Sequence, residues 1–245
     1  LHYPLRRQRQ MCIRDRYSTK LKKCGNIVKI HKYKIPVKIG YKSKRGNSKH
    51  NPNITDEERK LRRKNKMNKS KYEFIDIVNY NFTTNDVFIT LTNEREEDPE
   101  TIKHNFDKFI KKIKYRFGKD IKYCYVKHKQ KRGVYHYHMV ADIEYIQKDV
   151  LEKIWPYGIS SISKINNVNA VAVYMANHVD DTVIEKKEYR SKIFQTSKTC
   201  KRPKWVYGAE AEKILAKISD DFNETFAKTY STKMYSNMDI KIYEK

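Results

Sequence analysis

Acidic side chains are outnumbered nearly two to one in this chain: 29 Asp and Glu face 54 Lys and Arg, a formal charge of +25 over 245 residues. A chain so short of negative charge favours a polyanionic partner, because each neutralised phosphate releases condensed counterions. Nucleic acid is therefore expected ahead of a structural role of the ribosomal-protein kind. Cysteine is also sparse. Cys12, Cys24, Cys124 and Cys200 show no C-x-x-C spacing, which argues against a zinc knuckle or a disulfide framework and predicts reduced thiols in a cytoplasm. No apolar run approaches the roughly 18 residues of a membrane span. An apolar signal-peptide core is lacking as well. There is no G-x-x-x-x-G-K-[ST] loop, hence no P-loop ATPase, and no internal repeat. What remains is 38% hydrophobic residues, enough for one domain with extensions.

The first sixteen residues, LHYPLRRQRQMCIRDR, resemble translated sequencing-adapter read-through and are set aside from fold reasoning. A large positive excess survives their removal. Residues 17–75 read as a basic N-terminal extension. It has Lys-punctuated strands over 27–39, a polar connector over 41–52 and a basic helix from Asp56 to about Phe74, capped by Thr55 with Glu58. That helix has little apolar face, so it is either solvated or lies along phosphates. Residues 76–208 read as the main domain. VFITLT (87–92) is a central strand, and Asp98-Pro99 opens a helix whose stripe Ile102, Phe106, Phe109, Ile110, Ile113 and Phe117 runs to Gly118. Strands follow over 121–128 and 134–142, then a short helix over 147–155, a strand over 159–165 and a helix over 167–179. The last part, 209–245, reads as a helix over 209–227 and a strand over 238–243 packing on the domain. The order predicts an α+β fold with a central antiparallel sheet flanked by helices.

His136-Tyr137-His138 lies inside the strand VYHYHMVAD, so both imidazoles leave one face of a sheet. Lys131-Arg132-Gly133 forms a three-residue hairpin loop with the glycine left-handed. If Gln130 pairs with Val134, then His128 opposes His136 and the pair becomes a triplet. Three imidazoles suit a divalent transition metal with positions open to phosphate oxygens or water. The alternative is a set of surface histidines on an ordinary sheet, or histidines that stack on bases. His104, on a helix, is expected to be solvated.

Across 167–179, Val168, Val171, Ala172, Met175 and Val179 make the apolar stripe, with Tyr174 and His178 on its flank. A phenol with a pKa near about 10 needs a cation or base to act as a nucleophile, and a metal on the scissile phosphate would help. Hydrolysis by metal-bound water is the simpler alternative.

These residues resemble a family. VFITLT (87–92), KQKRGVYHYHMV (129–140) and AVYMANHV (172–179) are similar, in order, to the motifs of the HUH-type rolling-circle replication initiators (Rep proteins) of plasmids and single-stranded DNA phages. The preceding stretch VNYNFTTND and the following FQTSKTCKRP (194–203) are similar to the family's flanking stretches. The resemblance spans about residues 56–208. It implies a ferredoxin-like or RRM-like domain that nicks origin DNA at one site. Tyr174 would attack, leaving a 5′-phosphotyrosyl strand and a free 3′-OH. His136 and His138 would bind a divalent metal, Mn or Mg, with His128 at the family's third ligand position. Relatives carry a lysine three residues after the tyrosine and often a tyrosine four after. Asn177 and His178 stand there, so His178 or Lys164 is expected to take over the lysine's role, and the chemistry is expected to use one tyrosine. Lys129, Lys131, Arg132, Lys198, Lys201, Arg202 and Lys204 are expected phosphate contacts. The partners expected are single-stranded or hairpin origin DNA, a host helicase and a DNA polymerase. Competing readings are an HUH transposase or relaxase and a non-enzymatic basic DNA-binding protein.

Overall fold

The structure, a computed structural model, describes residues 16–39, 54–95, 98–130, 133–178, 194–218, 221–232 and 236–245. In chain order its elements are β1 (Arg16–Cys24), β2 (Ile27–Lys38), α1 (Asp56–Asn81), β3 (Val87–Thr92), α2 (Pro99–Phe117), β4 (Tyr123–Lys129), β5 (Tyr135–Ala141), α3 (Lys148–Ile154), β6 (Ser160–Lys164), α4 (Val168–Asn177), β7 (Gln195–Thr196), β8 (Val206–Tyr207), α5 (Gly208–Leu215), β9 (Asn223–Thr232) and β10 (Ser236–Glu244). They form an α+β protein with two five-stranded antiparallel sheets in two compact units. Thr55–Arg202 is one unit; the chain up to Ile54 and from Pro203 is the other.

The 55–202 unit carries β3-α2-β4-β5-α3-β6, with strands ordered β6-β3-β5-β4-β7. That is the expected ferredoxin-like arrangement with one short strand added. Strand alternation sorts its residues onto two faces. Ile89, Leu91, Tyr137 and Met139 meet Phe106, Phe109 and Ile113 of α2 and Leu151 of α3. Val126 and Val140 meet Phe74, Ile77 and Val78 of α1 and Ala172 and Met175 of α4. Burial explains why α1 runs on past Phe74: its last turns hold the apolar residues that cover the sheet. Asp98 caps α2, accepting from the amides of Glu100 and Thr101 at 2.9 Å. Asn167 caps α4, accepting from Ala170 N at 2.7 Å.

The other unit has strands ordered β8-β1-β2-β10-β9. Leu21, Val28 and Ile30 form its core under Ala211 of α5. Here three expectations are corrected. β1 was not anticipated, and Arg16, set aside with the adapter-like segment, opens it opposite Lys38; residues 1–15 lie outside the described residues. The helix expected over 209–227 ends at Leu215, and 223–232 is strand β9. The C-terminal strand completes the N-terminal sheet, Asp239 pairing with Lys32. The polar connector 41–52 lies outside the described residues.

One glycine locks the end of β3. Gly158 sits at φ +148°, and a Cβ there would stand 2.2 Å from the Thr92 carbonyl oxygen and 2.6 Å from Glu94 N. Backbone bonds from Thr92 N to Ile159 O (2.8 Å) and Glu94 N to Tyr157 O (2.9 Å) leave no room to retreat. Gly158→Ala is expected to destabilise the unit by about 3 kcal/mol, read as a lowered urea midpoint at unchanged m-value. A midpoint equal to wild type would contradict the close approach.

Candidate active site

Two strands and one helix bring imidazoles to the α1/α4 face of the 55–202 sheet. β4 and β5 pair as the hairpin chemistry requires: Gln130 N donates to Val134 O at 2.8 Å, and Gly133 takes φ +88°. His128 consequently opposes His136. The ring centroids of His128 and His136 are 5.8 Å apart, and those of His136 and His138 are 5.0 Å apart. His136 is 9% and His138 2% exposed. On the other side of β5, Thr92 opposes His136 and Thr90 opposes His138. Each threonine Oγ1 hydrogen-bonds the Nδ1 of its histidine, at 3.2 and 3.1 Å.

Gln130 sets the tautomer of His136. The Gln130 side-chain nitrogen lies 3.1 Å from His136 Nε2, and an amide nitrogen only donates. Nε2 is thus the acceptor, and Nδ1–H donates to Thr92. His138 Nε2 is buried with no hydrogen-bond partner among the described residues. Burial, assisted by the imidazoles of His178, His136 and His128, lowers the His138 pKa to about 3, so the ring is neutral at physiological pH. A neutral, buried, unbonded imidazole nitrogen is the donor a transition-metal ion requires. The donor set thus fits a divalent metal held by His136, His138 and His128, with Gln130 adjacent. Among the described residues, no three His, Cys, Asp or Glu side chains stand grouped at metal-ligand geometry, so side-chain rotation is needed to close such a site.

α4 supplies the rest. The Tyr174 ring lies 5.2 Å from that of His138 and edge-on to Phe88 at 5.9 Å, yet Tyr174 is 46% exposed. His178 ends the helix, its Nδ1 2.9 Å from Tyr174 O. Its ring stands 4.2 Å from Tyr174, 4.5 Å from His138 and 5.6 Å from His128. The structure therefore brings His128, His136, His138, Tyr174 and His178 together. Lys164 is not brought in: it pairs with Val87 on the opposite face of the sheet, while Ser161 and Ser163 take the histidine side. Asn177 is exposed at the end of α4. His178 is the group beside the phenol.

The basic residues scatter. Lys129 is exposed, with its ammonium 5.4 Å from the Tyr135 ring. Lys131, Arg132 and Val179 lie outside the described residues. The 194–202 stretch packs along β4 through β7, and Ser197 Oγ accepts from Tyr123 N at 3.1 Å. Lys201 is tied down by its backbone, which exchanges bonds with the Asn81 side chain at 2.8 and 2.7 Å. Arg202 is ion-paired with Glu73, and Lys198 is exposed. Lys204 is exposed in the other unit.

Sequence reasoning missed Thr90, Thr92, Gln130 and Phe88. Parity was the available signal: Phe88, Thr90 and Thr92 alternate with Ile89 and Leu91, and Gln130 is two residues past His128.

The ferredoxin-like sheet thus carries its H-x-H strand beneath a helix-borne tyrosine. Residues 86–183, which contain β3 through α4, match the sequence model of a family of replication-associated proteins, the ORF2 type. The match agrees with the resemblance to rolling-circle initiators. No curated protein and no solved structure matches the chain. Among the described residues, no helix is long and apolar enough to cross a membrane.

Proposed function

We propose that this protein initiates rolling-circle replication by nicking one strand of origin DNA and rejoining it through a phosphotyrosine. The observation that supports this most is the meeting of Tyr174 with neutral, buried His138, centroids 5.2 Å apart, inside the segment that matches the replication family. The Tyr174 oxygen forms a bond to phosphorus while the phosphorus–O3′ bond breaks. The product is a 5′-phosphotyrosyl strand and a 3′-hydroxyl that primes synthesis. The phenolic proton passes to His178, the nearest imidazole to Tyr174 among the described residues, and the leaving O3′ takes a proton from water. His136, His138 and His128 would hold a divalent ion, Mn or Mg, and its charge would polarise the scissile phosphate. Because the ester keeps the bond energy, a later 3′-hydroxyl can reverse the step. Lacking a P-loop, the chain would take strand separation from a host helicase and extension from a host polymerase.

The test is to mix the protein with Mn²⁺ or Mg²⁺ and single-stranded DNA from its own replicon. A denaturation-resistant protein–DNA adduct mapping to Tyr174, absent with EDTA, is expected. Metal-dependent cleavage without an adduct would replace the tyrosine with water as nucleophile. Binding with no cleavage in any metal would leave only a DNA-binding protein.

The two threonines are positioning residues in this scheme. Thr90→Val with Thr92→Val keeps shape and removes both hydroxyls. Titration calorimetry is expected to show Mn²⁺ affinity lowered by about 10–100-fold, with the far-UV circular dichroism unchanged. Unchanged affinity would mean that the hydroxyls do not orient the rings.

A further inference from the structure

Among the described residues, the first half of α1 buries no side chain. Every residue from Asp56 to Lys66 is exposed, and Met67 is the first to be buried. This stretch holds its helix locally: Thr55 Oγ1 accepts from Glu58 N at 3.2 Å, and Asp56, Glu57 and Glu58 oppose the helix dipole in the first turn. Those acids sit one turn before the region of interest. Beyond them the surface is basic, but not uniformly so.

Leu61, Asn65, Asn68 and Tyr72 recur at spacings of four, three and four, so they share one stripe. The stripe lies roughly opposite the buried line of Met67 and Phe74. All four residues are exposed, Leu61 by 59% and Tyr72 by 64%. Arg62 and Lys69 run along one flank, Lys64 and Lys71 along the other. Between the two cationic rails runs a stripe without charge, carrying two amides, a leucine and a tyrosine.

We propose that this stripe reads base pairs in the major groove of duplex DNA flanking the nick site, an inference that rests on the nicking function proposed above. The major groove accepts a helix whose outer face meets base edges while its flanks meet the two phosphate backbones. Asn pairs with adenine through N6 and N7, and apolar groups contact the thymine methyl, so Asn65 and Asn68 with Leu61 and Tyr72 specify A·T-rich sequence. From Leu61 to Tyr72 the helix is about 16 Å long, the length of about five base-pair steps. Arg62, Lys69, Lys64 and Lys71 supply sequence-independent phosphate contacts. Binding here needs no metal.

The test uses the full-length protein in EDTA, selecting from a random duplex pool and then measuring anisotropy on the selected duplex and a scrambled one. A selected motif with adjacent A·T pairs is expected. Asn65→Ala with Asn68→Ala should bind the selected duplex at least about tenfold more weakly and the scrambled one equally well. Arg62→Gln with Lys69→Gln should weaken both duplexes alike and reduce the salt-dependence exponent by about 2. The proposal is overturned if no motif is enriched, if the asparagine variant selects the same motif with the same affinity, or if only single-stranded DNA or an acidic protein competes for this face. Adduct formation on single-stranded DNA keeps the two readings apart. Duplex selection without any adduct would sink the nickase and leave the groove reader; an adduct without duplex selection would do the reverse.

Discussion

Tyr174→Phe is expected to abolish the covalent DNA adduct, lowering single-turnover nicking by about 10⁴-fold or more, as loss of a nucleophile does. The substitution deletes one oxygen and nothing else. The ring that stands edge-on to Phe88 and against His138 is retained, so packing in the α4 layer persists. The deleted hydroxyl belongs to a residue 46% exposed, so no buried polar partner is orphaned. The melting temperature should therefore stay within about 1–2 °C of wild type, a small surface-type change. Metal affinity should be intact, because the phenol is not among the imidazole donors. Adduct yield on a denaturing gel, beside scanning fluorimetry and Mn²⁺ titration, separates the cases. A normal adduct in the variant would move the nucleophile elsewhere; a lost adduct with a collapsed fold would make Tyr174 structural.

His138→Ala has the second large effect. It removes the most buried imidazole, 2% exposed, and the nitrogen that has no hydrogen-bond partner among the described residues. Mn²⁺ affinity should fall by at least about 100-fold, beyond the effect of a supporting group, and nicking should fall with it. The variant also leaves a void beside Phe88 and Tyr174, so His138→Gln is the better-packed comparison. The two differ in stability but should agree in lost metal binding. Retained Mn²⁺ affinity in both would remove His138 from the ligand set.

The same ring sets a pH dependence in metal-free protein. Its folded pKa, about 3, lies below the ordinary 6.5, so the unfolded chain takes up a proton over a range where the folded one does not. Stability from this group is complete above about pH 6.5 and drains away as the pH falls toward about 3. Urea midpoints measured in EDTA should decline through that window, and His138→Gln should flatten the decline. An equal slope in the variant would assign the loss to other groups.

Much of this site was legible because local chemistry fixed it. Gly133 closes the hairpin, the hairpin fixes the register, and the register puts His128 against His136. Likewise α2 was legible from its Asp98 cap and aromatic stripe. Failure came where pairing partners were remote. Residues 209–227 begin with helical spacing, and α5 does form, but the chain turns after Leu215. The run TFAKTYST alternates in the manner of a strand, a signal overridden by the preceding helical pattern. What makes it a strand is β10, itself held by β2. Lys164 failed for parity: one residue earlier on β6, Ser163 faces the histidines, and Lys164 does not. His178 gained its place from the end of α4, where the last turn aims its ring back toward β5.

The pairing of Lys32 with Asp239 has a consequence for biosynthesis. The β1–β2 ribbon emerges from the ribosome long before the strand that flanks it, a wait of about 10–40 s at ordinary elongation rates. All the strands that pair in the 55–202 unit are synthesised within that interval. The imidazole centre can then assemble before the β1–β2 ribbon gains β10.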